Sequence, residues 1–330
     1  VRHFGMKQKM FKLILGLLIF VVVSVLAGTA FLVNYLTKSI FYGPRQSAEE
    51  AFRWQSEHYD TDFYSALEQE DFSVKSFDGY VLHGTLLKNP KQSDRYVILS
   101  HGHTDTRFGS LKYVPTYLSL GFNCIIYDLR GHGENERTAC TYGIREGQDL
   151  SEIVKYFRAK LGDRVTLGLH GESLGAATTV SSLRYQPEVD FAVADCAFAD
   201  IENVLKTGWR YANIPSEIFA PVNLYGKLRY GYALSAMRPI DALKGNAVPV
   251  FYIHGTADGF ILPVNSERLY EATEGKKELM LVPEAGHAES VLTNPKLYAT
   301  GLQEFLQSLG LISPEEKAEP LILRSPKTAE

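Results

Sequence analysis

The longest unbroken pattern along the chain is apolar: no charged residue occurs from Leu13 to Thr37. As a helix, that stretch would reach about 37 Å, enough for a hydrocarbon core of about 30 Å. Arg2, Lys7, Lys9 and Lys12 precede it. By the positive-inside rule, residues 1–12 are then a cytoplasmic basic segment, 13–37 a transmembrane signal anchor, and the rest lies outside the cytoplasm at the cell membrane. The alternative is secretion after signal cleavage near Ala30, where Gly28-Thr29-Ala30 offers small residues. No Cys follows Leu26-Ala27-Gly28, so the sequence offers no lipoprotein anchor. Residues 38–70 are expected to be a juxtamembrane helical linker, with Ala48, Phe52 and Trp54 at helical spacing.

Shorter periods follow. Phe72–Phe77 and Tyr80–Leu87 flank Asp78-Gly79, a strong hairpin signal. Then apolar strands and amphipathic helices alternate. Strands are predicted at Tyr96–Leu99, Phe122–Tyr127, Arg164–Leu169, Phe191–Ala194, Val250–Ile253 and Leu279–Val282. Helices are predicted at Leu111–Leu120, Gly147–Leu161, Leu174–Arg184 and Leu297–Leu309. An antiparallel start followed by β-α units predicts an α/β fold: a mostly parallel sheet of about eight strands with helices on both faces. Ligands on such sheets bind at the carboxyl ends of the strands. The rhythm breaks between about 200 and 243, a helical stretch rich in aromatics that is long for a connection in a compact domain. The folded domain is expected over 71–310, followed by a C-terminal tail, 311–330.

Composition narrows the options. A 330-residue chain with 45% hydrophobic residues can bury a large core. A net charge of −4 with no basic block beyond the N-terminus argues against a nucleic-acid partner. Cys124, Cys140 and Cys196 are too widely spaced for a CxxC zinc pattern.

The chemistry centres on Gly171-Glu172-Ser173-Leu174-Gly175, between an apolar run and an Ala-rich helix. A serine on a sharp strand-to-helix turn sits in strained backbone, which requires small residues two before and two after it. Its hydroxyl is a poor nucleophile without a base, and the base needs an anionic partner to fix its tautomer. His287, in the loop after the last strand, is the candidate base, and Asp258, after the strand at 250–253, its orienter. Asp195, at the end of the preceding strand, is the reserve acid. The order Ser, Asp, His is that of a nucleophile elbow on a parallel sheet. The oxyanion hole would be the backbone N–H groups of Leu174, at a helix start, and of His103, in the loop after Tyr96–Leu99.

With Ser100-His101-Gly102-His103, Asp128-Leu-Arg130-Gly131-His132-Gly133, His254-Gly-Thr-Ala-Asp258 and Gly286-His287 added, the chain resembles the α/β-hydrolase superfamily over about residues 71–310. Within it the chain is similar to bacterial membrane-anchored hydrolases of the esterase and peptidase-like branch. The resemblance implies that Arg130–Gly133 is a structural loop and that the aromatic insertion is a lid. Trp209, Tyr211 and Phe219, with Phe260 of the Asp loop, are then the candidate substrate-binding side chains. It implies a serine hydrolase acting on a small-molecule acyl substrate, with a carboxylesterase first and a peptidase, amidase or thioesterase as alternatives. No metal or organic cofactor is required, and the bilayer is the expected partner of residues 13–37.

Two readings compete from other classes. His101-Gly-His103-Thr-Asp105-Thr106 approaches a zinc-hydrolase signature, with His170, Asp195 and His254 as further ligands, but Thr106 stands where an imidazole is needed. An inactive, membrane-tethered binding protein on the same fold is the other. Gly131-His-Gly133-Glu-Asn-Glu136 imitates a dinucleotide fingerprint but ends in Glu where close packing needs Gly or Ala.

Overall fold

The computed structural model describes residues 2–324. Val1, residues 325–330 of the tail and the side chains of residues 2–5 and Lys7 lie outside the described residues. The helices are α1 (Arg2–Phe41), α2 (Ala48–His58), α3 (Asp62–Ala66), α4 (Val114–Ser119), α5 (Ile144–Leu161), α6 (Leu174–Ser182), α7 (Ile201–Tyr211), α8 (Phe219–Tyr230), α9 (Val264–Ala272), α10 (Ser290–Thr293) and α11 (Pro295–Ser308). The strands are β1 (Gln69–Lys75), β2 (Val81–Leu87), β3 (Arg95–Ser100), β4 (Phe122–Tyr127), β5 (Thr166–Glu172), β6 (Phe191–Asp195), β7 (Val250–Gly255) and β8 (Lys277–Val282). Among the described residues these form one eight-stranded sheet in the order β1-β2-β4-β3-β5-β6-β7-β8. β1 and β2 form an antiparallel hairpin and β2 meets β4 antiparallel; β4, β3, β5, β6, β7 and β8 run parallel. This is the mostly parallel α/β sheet that the strand and helix pattern predicts, in the α/β-hydrolase architecture that the resemblance implies.

The inner strands are buried on both faces, and alternation sorts their side chains into two layers. Val97, Leu99, Cys124, Ile126, Phe191, Val193, Phe251 and Ile253 meet Val114, Tyr117, Leu302 and Phe305 of α4 and α11. Ile98, Ile125, Leu169, Ala192, Ala194 and Tyr252 face α5 and α6, through residues such as Ile153, Phe157 and Val180. That second layer also receives Val204, Trp209, Phe219 and Val222 of α7 and α8.

Two elements depart from the sequence pattern. The helix expected from Leu111 starts as a 3-10 turn (Arg107–Tyr113), and α4 begins only at Val114. Pro115 has no N–H to give, so it fits only in the first turn of an α-helix. The second departure is at the N-terminus. α1 runs unbroken to Phe41, and from Val33 its Val33, Leu36, Ile40 and Phe41 are buried in the α5/α6 layer. Upstream, Leu13–Phe31 is exposed. The domain thus packs onto the end of the apolar helix itself. α2 and α3 follow, with Phe52 edge-on to Phe108 at 5.4 Å.

Candidate active site

β5 delivers Ser173 to a turn with φ 53° and ψ −113°, and α6 starts at the next residue. A serine rarely adopts that conformation, so the fold holds it there. The two glycines are dictated by contact. A Cβ on Gly171 would lie 2.1 Å from the Gly175 carbonyl oxygen, and one on Gly175 would lie 2.0 Å from that of Ser100. The Ser173 N–H donates to the Asp195 carbonyl oxygen at 2.9 Å, tying the turn to the end of β6.

Three side chains from three strand ends meet here. Ser173 Oγ stands 2.9 Å from His287 Nε2, and His287 Nδ1 stands 2.7 Å from Asp258 Oδ2. Asp258 Oδ1 accepts from the N–H groups of Phe260 and Ile261 at 2.9 and 2.8 Å. Burial alone would raise the Asp258 carboxyl; hydrogen bonds from His254 and His287, the electrostatic pull of the His287 ring and the Ile261 N–H outweigh it and hold it well below the usual range. A carboxylate so held requires the His287 proton on Nδ1, which leaves Nε2 to accept from Ser173. The edge of the Phe260 ring packs on the imidazole, 5.0 Å between centres.

Further buried polar residues surround this group. His254 is fully buried beneath Asp258, with Nε2 2.7 Å from the Ile261 carbonyl oxygen and 3.2 Å from Asp258 Oδ2. A carbonyl only accepts, so that nitrogen carries the proton, and Nδ1 accepts from Ser266 at 2.7 Å. Lys112 is buried, pairs with Glu172 and donates to the Ala288 carbonyl oxygen at 2.9 Å, touching the chain next to both Ser173 and His287. Tyr113 donates to Glu172 at 2.6 Å, and Ser290 to Asp195 at 3.1 Å. Asp195 sits in this buried cluster, while Asp258 takes the hydrogen bond from His287. Cys196 brings its sulfur within 4.8 Å of the Asp258 and His287 ligand atoms, its thiol pushed up by burial.

The loop after β3 presses against the serine: a Cβ on Gly102 would lie 3.7 Å from Ser173 Cβ. The His103 ring is stacked on Tyr142 at 5.7 Å and paired with Arg45 Nη1 at 3.1 Å. Burial first, and the Arg45 charge second, push its pKa down to about 3, so the ring is neutral. Leu174 stands at the first position of α6, where an N–H has no partner within the helix.

Of the aromatics suggested for substrate, the structure brings Phe260 to the triad. Trp209 and Phe219 are buried against each other at 6.2 Å, inside the packing of α7 and α8. Tyr211 is 71% exposed at the end of α7. A cavity of about 190 Å³ lies between α7 and the Asp258 loop, lined by Asn203, Val204, Thr207, Phe260, Leu262 and Arg268. The zinc-type residues do not converge. His101 spends Nδ1 on the Gly102 carbonyl and Nε2 on the Leu129 N–H, and His170 lies between Tyr117 and Tyr298. Arg130 is 1% exposed and bridges Asp78 and Asp149, which fits a structural loop.

Residues 109–310 match the model of the prolyl oligopeptidase family. The uncharacterized protein YqkD of Bacillus subtilis is 33% identical over 250 residues, covering 74% of this chain and 82% of that one. The caffeoylshikimate esterase of Arabidopsis thaliana is 24% identical over 60% of this chain and 72% of its own. A Pyrococcus furiosus esterase shares the fold with a TM-score of 0.63 at 24% identity, covering 76% of this chain and 94% of that one. The chain belongs to the prolyl oligopeptidase family, and is a hydrolase of the esterase and peptidase type on an α/β-hydrolase fold.

Proposed function

We propose that the protein is a serine hydrolase that cleaves an ester-like acyl bond through Ser173, His287 and Asp258, with a carboxylic ester of small or medium hydrophobic size as its substrate. The observation that carries this is the relay of 2.9 and 2.7 Å from a strained serine to a charged carboxylate. Ser173 Oγ attacks the carbonyl carbon as its proton passes to His287 Nε2. The tetrahedral oxyanion is held by the N–H groups of Leu174 and His103. Its collapse breaks the ester bond, and His287 returns the proton to the leaving alcohol. A water, deprotonated by His287, then attacks the acyl enzyme and releases the acid and the free serine. The cavity beside Phe260 suits the acyl group. At about 190 Å³ it is smaller than the roughly 300–1,000 Å³ of sites for drug-sized ligands.

A peptidase or amidase is the second reading, favoured by the family match; thioester cleavage would use the same groups. Leu13–Thr37 serves as membrane anchor in this proposal, with residues 1–12 cytoplasmic, 71–310 the hydrolase domain and about 200–243 its lid. Aryl esters of rising acyl length, and matched anilides, test the chemistry on wild type and Ser173→Ala. Ester turnover is expected to fall by roughly 10⁶-fold in Ser173→Ala. Turnover unchanged by that substitution would overturn the proposal. A fluorophosphonate that fails to label the wild type would favour a binding protein, and faster anilide than ester cleavage a peptidase.

A further inference from the structure

The end of the apolar helix and the His103 loop after β3 are neighbours. The Phe41 carbonyl oxygen accepts from the Cys140 N–H at 2.9 Å, and that of Ile40 from Tyr142 Oη at 2.8 Å. Tyr142 is the residue stacked on His103. The other partner of this helix end is α8 of the lid. Tyr225 donates to Asn34 at 3.0 Å, and the rings of Phe41 and Tyr230 lie 4.7 Å apart.

Helix geometry then sets the depth. The exposed run Leu13–Phe31 spans about 28 Å, close to the roughly 30 Å hydrocarbon core. The helix turns that follow, which α8 and the 137–142 loop grip, fall in the headgroup layer. Two surfaces at that level have no cover in the fold. On α8, Pro221, Leu224 and Leu228 recur at helical spacing on one exposed stripe; Leu224 is 57% and Leu228 76% exposed. At the foot of α1, a groove of about 430 Å³ is lined by Lys38, Arg145 and Arg229 with Tyr42, Tyr230 and Tyr232, and among the described residues no carboxylate lines it. Arg145 also pairs with Asp78. Leucines beside lysine, arginine and tyrosine are the composition of a helix lying in a lipid interface.

We infer that α8 and this basic groove seat the domain on the anionic surface of the bilayer that holds α1, and that the substrate is an acyl ester resident in that leaflet. The inference rests on the serine hydrolase reading and on the anchor. Leu224 and Leu228 enter the acyl region, and Lys38 and Arg229 meet lipid phosphates. The small cavity takes only the reacting end of such an amphiphile, while the remainder stays in the membrane.

The test uses the full chain in phosphatidylcholine vesicles with or without phosphatidylglycerol. Two substrates are followed: a water-soluble aryl butyrate and a fluorogenic long-chain acyl glycerol dissolved in the vesicle. Leu224→Ser/Leu228→Ser is expected to lower turnover of the vesicle-borne ester at least about tenfold, leaving the soluble ester unchanged. Lys38→Gln/Arg229→Gln should do the same only where phosphatidylglycerol is present. Equal losses on both substrates, or none on the vesicle-borne one, would overturn the inference. Independently of turnover, a fluorophore on Leu228→Cys should be quenched by spin-labelled lipid and one on Glu315→Cys should not. Equal quenching of the two would also overturn it. Ser173→Ala, run alongside, separates the cases: soluble-ester turnover surviving that substitution condemns the triad and not the foot.

Discussion

Two buried aspartates stand at adjacent strand ends and have opposite electrostatics. Asp258 is held charged by its hydrogen bonds; Asp195 is pushed up to about 6, by burial first and then by the charge of Glu172. Asp258→Asn should therefore lower kcat on an aryl ester by about 10⁴, because Asn cannot hold the same imidazole tautomer. Asp195→Asn should leave kcat of the same order and change stability instead. An Asp whose folded pKa exceeds its unfolded one keeps its proton in the folded state between about pH 4 and 6, where the unfolded chain has released it. Stability falls as pH rises through that window, by about 2–3 kcal/mol for a shift of this size. Denaturant melts of Asp195→Asn against wild type should show its relative stability rising by that amount from pH 4 to pH 7. A flat difference would mean that Asp195 is already charged. Ser173, Asp258 and His287 were legible as candidates because each lies in a short motif at a strand end. Lys112 was not, because the group it serves is remote in sequence: it reads as a surface position on an amphipathic segment until Glu172 is brought beside it. His254 stood in the motif before Asp258, but its place beneath that carboxylate is set by the fold.

At the scale of the element, the strand–turn–helix unit at β5 and α6 is fixed by close approach, and that makes its glycines unlike others. Gly175→Ala would press a methyl onto the Ser100 backbone, which no side-chain rotation relieves. It should cost about 3 kcal/mol of stability and lower kcat as the elbow shifts. Gly208, inside α7, has nothing within 4 Å of the same position, so Gly208→Ala should stabilise by about 0.5–1 kcal/mol through helix propensity. Thermal melts of the pair should move in opposite directions. A shared sign would mean that the elbow relaxes freely. The same physics explains what the pattern did and did not disclose. Strands buried on both faces announce themselves as apolar runs, and Asp78-Gly79 closes the hairpin with Gly79 at φ 89°. The grip of α8 on α1 carries no such mark. Val33, Leu36 and Ile40 read equally well as lipid-facing or protein-facing, since both surroundings are apolar.

For the whole molecule, that ambiguity has an energetic consequence, because one helix is exposed along one part and buried in the domain along the other. Over Leu13–Phe31 its side chains are exposed; downstream, Val33, Leu36, Ile40 and Phe41 are at most 9% exposed. Burying a side chain of this kind contributes about 1.5–3 kcal/mol, so the four together amount to roughly 6–12 kcal/mol as an upper bound. Whole domains are stable by only about 5–15 kcal/mol. A chain cut before Leu32 should thus fold, melt near the full-length domain and hydrolyse a soluble aryl ester at the full-length rate. One cut before Pro44 loses that burial together with the hydrogen bonds from Cys140 and Tyr142 to the helix end. It should be insoluble or melt far lower, with the Tyr142–His103 stack and the oxyanion loop released. Differential scanning calorimetry and ester turnover on the two truncations decide the matter. Equal behaviour would show that the helix end is a detachable tether, and a collapse of the longer truncation alone would show that the apolar helix belongs to the hydrolase domain as much as to the membrane.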